Sequence, residues 1–286
     1  MSNQLTITGY STALFATWYF VDELALLLDC GDGVSAGLLQ KSRKVKHLFI
    51  SHADRDHVGG LLQFNQLNSR PGLKIYYPQD CGTFPALEKF TGKFDPQVSG
   101  AEWIPVGDGD EIAIRNDLVV RAVENAHVVT EIGETKSLSF FVDRCDRKLK
   151  PELLGKTGSE IAQLRKDRGD LAITNESRST ILAYSADTPI EHDGRWDKVK
   201  TLIHEATFLT AEEIEPDNPR RNKHSSLDQV LEMVAGSGVQ QLVLGHFSSR
   251  YDDQQIEDAI QQGCERFGVT IPVYRVLPGR SATHKI

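Results

Sequence analysis

Val45-Lys46-His47-Leu48-Phe49-Ile50-Ser51-His52-Ala53-Asp54-Arg55-Asp56-His57-Val58-Gly59-Gly60 decides how this chain is read. Residues 45–50 form an apolar run of strand length, the kind that lies buried inside a sheet. Residues 52–57 carry four metal-capable side chains, His52, Asp54, Asp56 and His57. A turn at the strand's end aims alternate side chains at one point. Gly59 and Gly60 then allow a helix to start close behind. Imidazole and carboxylate together suit divalent ions such as Zn²⁺, Mn²⁺ or Fe²⁺. A charged surface loop is the plain alternative, and the strand–loop–helix setting argues against it.

Strands and helices alternate outward from this point. Upstream, LTITGY, TWYFVD and the buried run LALLLDCGDG read as strands, and VSAGLLQKSRK as a short polar helix. Downstream, GGLLQFNQLNS reads as a helix, LKIYYP as a strand and FPALEKFTGKF as a helix. Two strands flank the Asn116-Asp117 turn, and SLSFFVD is another. STILAYSADT, VKTLIHEATF and VQQLVLGHF are strands of the second half. Its helices are 226–238, with apolar positions 227, 230, 231 and 234 closed by glycine, and 252–268. The pattern predicts a single α/β domain over 1–286, a four-layer αββα sandwich of two mixed sheets. Residues 143–168 differ from the rest. They hold eight Lys or Arg against five Asp or Glu and read as a surface excursion.

Composition narrows the function. The chain has 286 residues, enough for a full core, and a formal net charge of −8. A protein basic all over, built to wrap nucleic acid, is excluded, so any RNA contact falls to a local patch. Cys30, Cys81, Cys145 and Cys264 are far apart with no CxxC pair, which fits a reducing compartment. Cys30 reads as a small buried hydrophobe rather than a redox group. The uncharged run from Thr12 ends at Asp22, well short of the roughly 20 residues that cross a bilayer. No basic segment precedes it, so the expectation is a cytoplasmic protein without a membrane partner.

The 52–57 segment resembles the HxHxDH signature of the metallo-β-lactamase-fold hydrolases, with Asp54 where the second His is usual. Further blocks narrow the resemblance to the ribonuclease Z branch. They are LLDCGDG (27–33), AYSADT (183–188), HEATF (204–208), KHSS (223–226) and LGHFSSRY (244–251), in the family's order. The resemblance implies two divalent metal ions. His52, Asp54 and His127 would hold the first, Asp56, His57 and His246 the second, and Asp187 would bridge them. Each of these residues stands where an apolar strand gives way to a loop. His204 reads as structural, and His47, His192 and His284 carry no motif.

The resemblance also implies a mechanism. A bridging hydroxide attacks phosphorus, Asp56 orients it, and Glu205 with His224 protonates the leaving oxygen. Asp54 alters the charge balance. Three carboxylates and a hydroxide neutralise two divalent ions, which makes the bound water less acidic. An extra oxygen ligand favours a harder ion, so Mn²⁺ or Fe²⁺ is expected to compete better with Zn²⁺ here. The implied substrate is RNA, a precursor tRNA cut at its 3′ end. The alternative is a small phosphodiester, lactone or thioester. The family's RNA-gripping arm falls between His127 and Asp187 and reads as reduced to the 143–168 excursion. Arg220, Arg221 and Lys223 form a second basic cluster. By family analogy the chain forms a homodimer.

Overall fold

The computed structural model describes residues 4–214 and 223–286. In its first half, β1 (Thr6–Thr12), β2 (Ala16–Val21), β3 (Leu26–Leu28), β4 (His47–Phe49), β5 (Lys74–Pro78) and β6 (Glu102–Val106) lie side by side. The second half supplies β7 (Glu111–Arg115), β8 (Leu118–Glu124), β9 (Leu138–Leu149), β10 (Thr174–Tyr184), β11 (Thr201–Glu205), β12 (Gln241–Gly245) and β13 (Val273–Arg275). The last strand, β14 (Ala282–Lys285), returns to the first sheet and pairs with β1. Two seven-stranded sheets result, ordered β14-β1-β2-β3-β4-β5-β6 and β13-β12-β11-β10-β9-β8-β7. Both are mixed: β3 to β6 and β10 to β13 run parallel, and the remaining pairs are antiparallel.

Alternation along the strands builds the layers. Leu26, Leu28 and Phe49 face the second sheet, where Val120, Phe140, Leu182, Ile203 and Val243 meet them. Leu27, Leu48 and Ile50 point the other way, onto Val34, Leu38, Leu61, Phe64 and Phe84. Leu202 and Leu244 pack outward on Leu227, Val230, Leu231 and Val234 of the helix Leu227–Ser237, and on Ile256 and Ile260. Strands apolar on both faces therefore sit between a sheet and a helix layer. The αββα sandwich is the expected fold. Ser226 caps the helix Leu227–Ser237 with a capping box to Gln229, and Gly238 ends it in the left-handed conformation.

The excursion is longer than its sequence suggests. β9 and β10 run on beyond the sheet as a two-stranded ribbon, paired from Thr180 and Asp143 out to Thr174 and Leu149. The outer parts, 145–149 and 174–179, are polar apart from Cys145 and Leu149, so no period-2 apolar signal marks them. The ladder and the ion pairs of Arg147 and Arg178 with Glu176 hold them instead. The connection between the two strands carries the helix Gly158–Arg168, with no buried residue.

Candidate active site

The loops after β4, β8, β10, β11 and β12 converge at one edge of the sandwich. Sharp turns aim the side chains there. Asp29, Ala186 and His246 have φ of 57°, 55° and 60°, a left-handed conformation that non-glycine residues adopt where the chain must reverse at once. Gly60 permits the close start of the helix Leu61–Asn68, because a Cβ there would strike the Gly31 carbonyl.

Two groups of ligand atoms result, sharing Asp187. Asp56, His57, Asp187 and His246 each place an atom within 4.8 Å of the others, and so do His52, His127 and Asp187. Asp187 Oδ2 lies 3.3 Å from His57 Nε2 and 3.8 Å from His52 Nε2, and its Oδ1 lies 3.3 Å from His246 Nε2. Asp56 Oδ2 lies 3.4 Å from His246 Nε2 and accepts the Leu14 N–H at 3.0 Å. Asp54 sits differently. Its side chain is 64% exposed, yet Oδ2 is 3.5 Å from His127 Nε2 and 3.8 Å from His52 Nε2.

Each of the four imidazoles is held by its outer nitrogen. His52 Nδ1 meets Ser51 Oγ at 2.9 Å, His57 Nδ1 meets Asp29 Oδ2 at 2.7 Å, His127 Nδ1 meets the Lys223 carbonyl at 3.1 Å, and His246 Nδ1 meets Thr207 Oγ1 at 2.9 Å. With Nδ1–H donating outward, every Nε2 turns a lone pair inward. The Nε2 atoms of His52 and His57 are buried with no hydrogen-bond partner. Buried nitrogens without partners, facing carboxylates, fit divalent cations. Asp29 is the outer hub. It accepts from Ser51 N and Oγ, from His57, and from Tyr184 Oη at 2.5 Å across the sandwich.

Beside this cluster, Glu205 Oε1 lies 3.0 Å from His224 Nδ1, and that nitrogen is 3.9 Å from Asp187 Oδ2. Glu205 also accepts from Thr188 N at 2.7 Å and Thr207 Oγ1 at 2.5 Å. Burial works against the charge on His224, but the charge and hydrogen bond of Glu205 outweigh it and raise its pKa to about 9. Burial likewise opposes ionisation of Asp187, yet His246 and His57 hold it well below the carboxylate range. For His52, burial and then the neighbouring His57 and His127 push the pKa well down.

The remaining sequence candidates fall outside this cluster. His204 is buried, donates Nδ1–H to the Glu205 carbonyl and meets Trp196 edge-on. Cys30 lies in the apolar layer beneath the first sheet, and burial raises its thiol pKa. Arg220 and Arg221 lie outside the described residues. Sequence reading assigned no role to Ser51, Thr207 or Tyr184. Their partners are set by packing between distant strands, and no spacing rule reports that. Among the described residues, no helix is long and apolar enough to cross a membrane.

Residues 11–78 match the profile of the Metallo-beta-lactamase superfamily. The chain is 29% identical over 266 residues to the chloroplastic tRNase Z TRZ2 of Arabidopsis thaliana, covering 89% of this chain and 70% of that one. It is 26% identical over 278 residues to the ribonuclease Z of Methanocaldococcus jannaschii, covering 86% and 84%. Among solved structures, the human short-form tRNase Z superposes with a TM-score of 0.59 at 19% identity, over 97% of this chain and 98% of the other. The metallo-beta-lactamase fold protein YhfI of Bacillus subtilis gives 0.63 at 15% identity, over 98% and 100%. Those two likenesses concern the fold, and the sequence relatives add the branch that it resembles: the chain is a metal-dependent hydrolase of the metallo-β-lactamase fold, similar in sequence to the ribonuclease Z proteins.

Proposed function

We propose that the chain is a phosphodiesterase that processes RNA 3′ ends, with precursor tRNA as its substrate class. One observation carries the reading: the Glu205–His224 pair stands beside Asp187, the carboxylate common to both ligand groups. Alkoxide is a poor leaving group, and a positioned acid is what its departure requires. His52, His127 and Asp54 would hold one divalent ion, Asp56, His57 and His246 the other, and Asp187 both. When bound, the ions supply a hydroxide nucleophile and positive charge for the phosphoryl oxygens.

The chain's own residues do the rest. Asp56 Oδ2, fixed by the Leu14 N–H, orients the water and accepts the proton whose loss leaves the hydroxide nucleophile. His224 Nδ1–H donates to Glu205, so Nε2–H faces the leaving oxygen and protonates it as the P–O bond breaks. The ribbon, its helix and the segment between them offer Lys148, Lys150, Lys156, Arg165, Lys166 and Arg168 to phosphates. The printed names of the relatives, tRNase Z and ribonuclease Z, support the same substrate class.

The test is cleavage of a labelled precursor tRNA by Mn²⁺-reconstituted protein, with products mapped to the nucleotide. A single cut at the 3′ edge of the acceptor stem, lost in Asp187→Ala, is expected. No cut, with an aryl phosphodiester still hydrolysed, would move the substrate to small phosphodiesters.

A further inference from the structure

We infer that Thr207 is a positioning residue that ties the acid pair to the metal-facing His246 through one hydroxyl. This rests on the proposed roles of Glu205, His224 and His246. Thr207 Oγ1 lies 2.5 Å from Glu205 Oε2 and 2.9 Å from His246 Nδ1. A hydroxyl has one proton to give. An ionised carboxylate can only accept, so the proton goes to Glu205. The oxygen's lone pair then accepts Nδ1–H of His246. That fixes the ring with Nε2 facing Asp56 at 3.4 Å and Asp187 at 3.3 Å. The same Oγ1 lies 3.4 Å from His224 Nδ1. One buried side chain thus sets the orientation of a candidate ligand and of the acid's carboxylate together.

The backbone leaves Thr207 little freedom. Its carbonyl accepts from Ser248 N at 3.1 Å, and the preceding Ala206 N donates to the Gly245 carbonyl at 2.9 Å. The β11 and β12 ends therefore carry Thr207 and His246 as one unit.

Ser51 provides an internal contrast. Its hydroxyl gives its proton to Asp29, at 2.9 and 2.8 Å, and accepts His52 Nδ1–H at 2.9 Å. The relay has the same form, hydroxyl between carboxylate and imidazole. Asp29 meets no acid histidine, however, so Ser51 serves metal holding alone. Thr207 serves metal holding and leaving-group protonation.

The experiment compares Thr207→Val, Thr207→Ser and Ser51→Ala with the parent, after circular dichroism shows each folded. Mn²⁺ affinity is read by calorimetry on chelator-stripped protein. At saturating Mn²⁺, kcat is read on a dinucleoside monophosphate, whose leaving group is an alkoxide, and on a nucleoside p-nitrophenyl phosphate, whose leaving group needs no acid. Thr207→Val is expected to weaken one Mn²⁺ site by about 10- to 100-fold. It is also expected to lower kcat on the alkoxide substrate at least about tenfold more than on the aryl one. Thr207→Ser restores both. Ser51→Ala weakens Mn²⁺ binding without changing the kcat ratio. Thr207→Val with parental affinity, or with a parental kcat ratio, overturns the dual role. So does an equal change of ratio in Ser51→Ala. His224→Ala distinguishes the levels: if its kcat ratio matches the parent, the acid-pair reading itself fails and takes this inference with it. If His224→Ala shifts the ratio and Thr207→Val does not, only the role of Thr207 falls.

Discussion

His57 shows how the site is made. Its ring is buried, Nδ1 is fixed on Asp29, and Nε2 is left facing Asp187 and Asp56. The anchor has a measurable consequence. Asp29→Asn leaves the ring in place but weakens its grip, and Mn²⁺ affinity at one site is expected to fall about 10- to 100-fold in a chelator competition. Parental affinity in that variant would remove Asp29 from the site. Asp54 belongs to the same scale. Its exposed carboxylate stands beside His52 and His127 where an imidazole is usual in the family that the sequence resembles. Asp54→His is expected to raise the affinity for Zn²⁺ relative to Mn²⁺, because nitrogen replaces a hard oxygen donor. An unchanged ratio, by competitive metal loading, would show that Asp54 holds no ion. The candidate ligands were legible in the sequence because they cluster past the ends of apolar strands, Asp56 and His57 in the short helix Arg55–Val58. The outer partners were not. Ser51 and Thr207 are common residues in ordinary places, and only the fold shows that one hydroxyl stands between a carboxylate and a ring.

Among the elements, the ribbon β9–β10 and its helix stand apart. Residues 155–169 bury nothing, so they add cation charge without core. Replacing them by a short Gly-Ser turn is expected to move the melting temperature by no more than about 4 °C, the equivalent of about 1 kcal/mol. Affinity for tRNA is expected to fall, with a shallower dependence on salt. Global unfolding of that variant would make the segment structural. β4 offers a pH test. His47, at its start, pairs in register with Lys74 and follows Lys46. Burial first, then those two lysines, lower its pKa from 6.5 to about 4. The folded chain holds it neutral while the unfolded chain protonates, so its contribution is intact above pH 6.5 and is lost as pH falls toward 4. His47→Gln should flatten the fall of melting temperature across that window. Its being half-buried keeps the effect modest. The strands next to the site were readable from alternation and apolar runs. The ribbon's outer parts were not, because their mostly polar residues leave ladder pairing as their only signature.

At the scale of the molecule, neither half completes the site. The first sheet brings His52, Asp54, Asp56 and His57, and the second brings His127, Asp187, Glu205 and His246. The halves are locked by Leu138 N on the Ser51 carbonyl at 2.9 Å, Tyr184 Oη on Asp29, and His246 N on Ser11 Oγ at 2.9 Å. Between them Phe49 stacks on Tyr76 at 4.3 Å and meets Phe140 of the other sheet at 5.1 Å. Phe49→Ala is expected to cost about 3–5 kcal/mol in denaturant unfolding, since the cavity lies where the sheets face each other. The two-sheet architecture could be read from strand patterning. The strand order could not, because β14 finds β1 across nearly the whole chain and no local signal encodes that pairing. The most direct test of a shared centre is a calorimetric titration of Mn²⁺ into chelator-stripped parent and Asp187→Ala. Two ions per chain in the parent, and at most one held with parental affinity in the variant, is the expected result. Two ions bound with unchanged affinity in Asp187→Ala, or none in the parent, would contradict it.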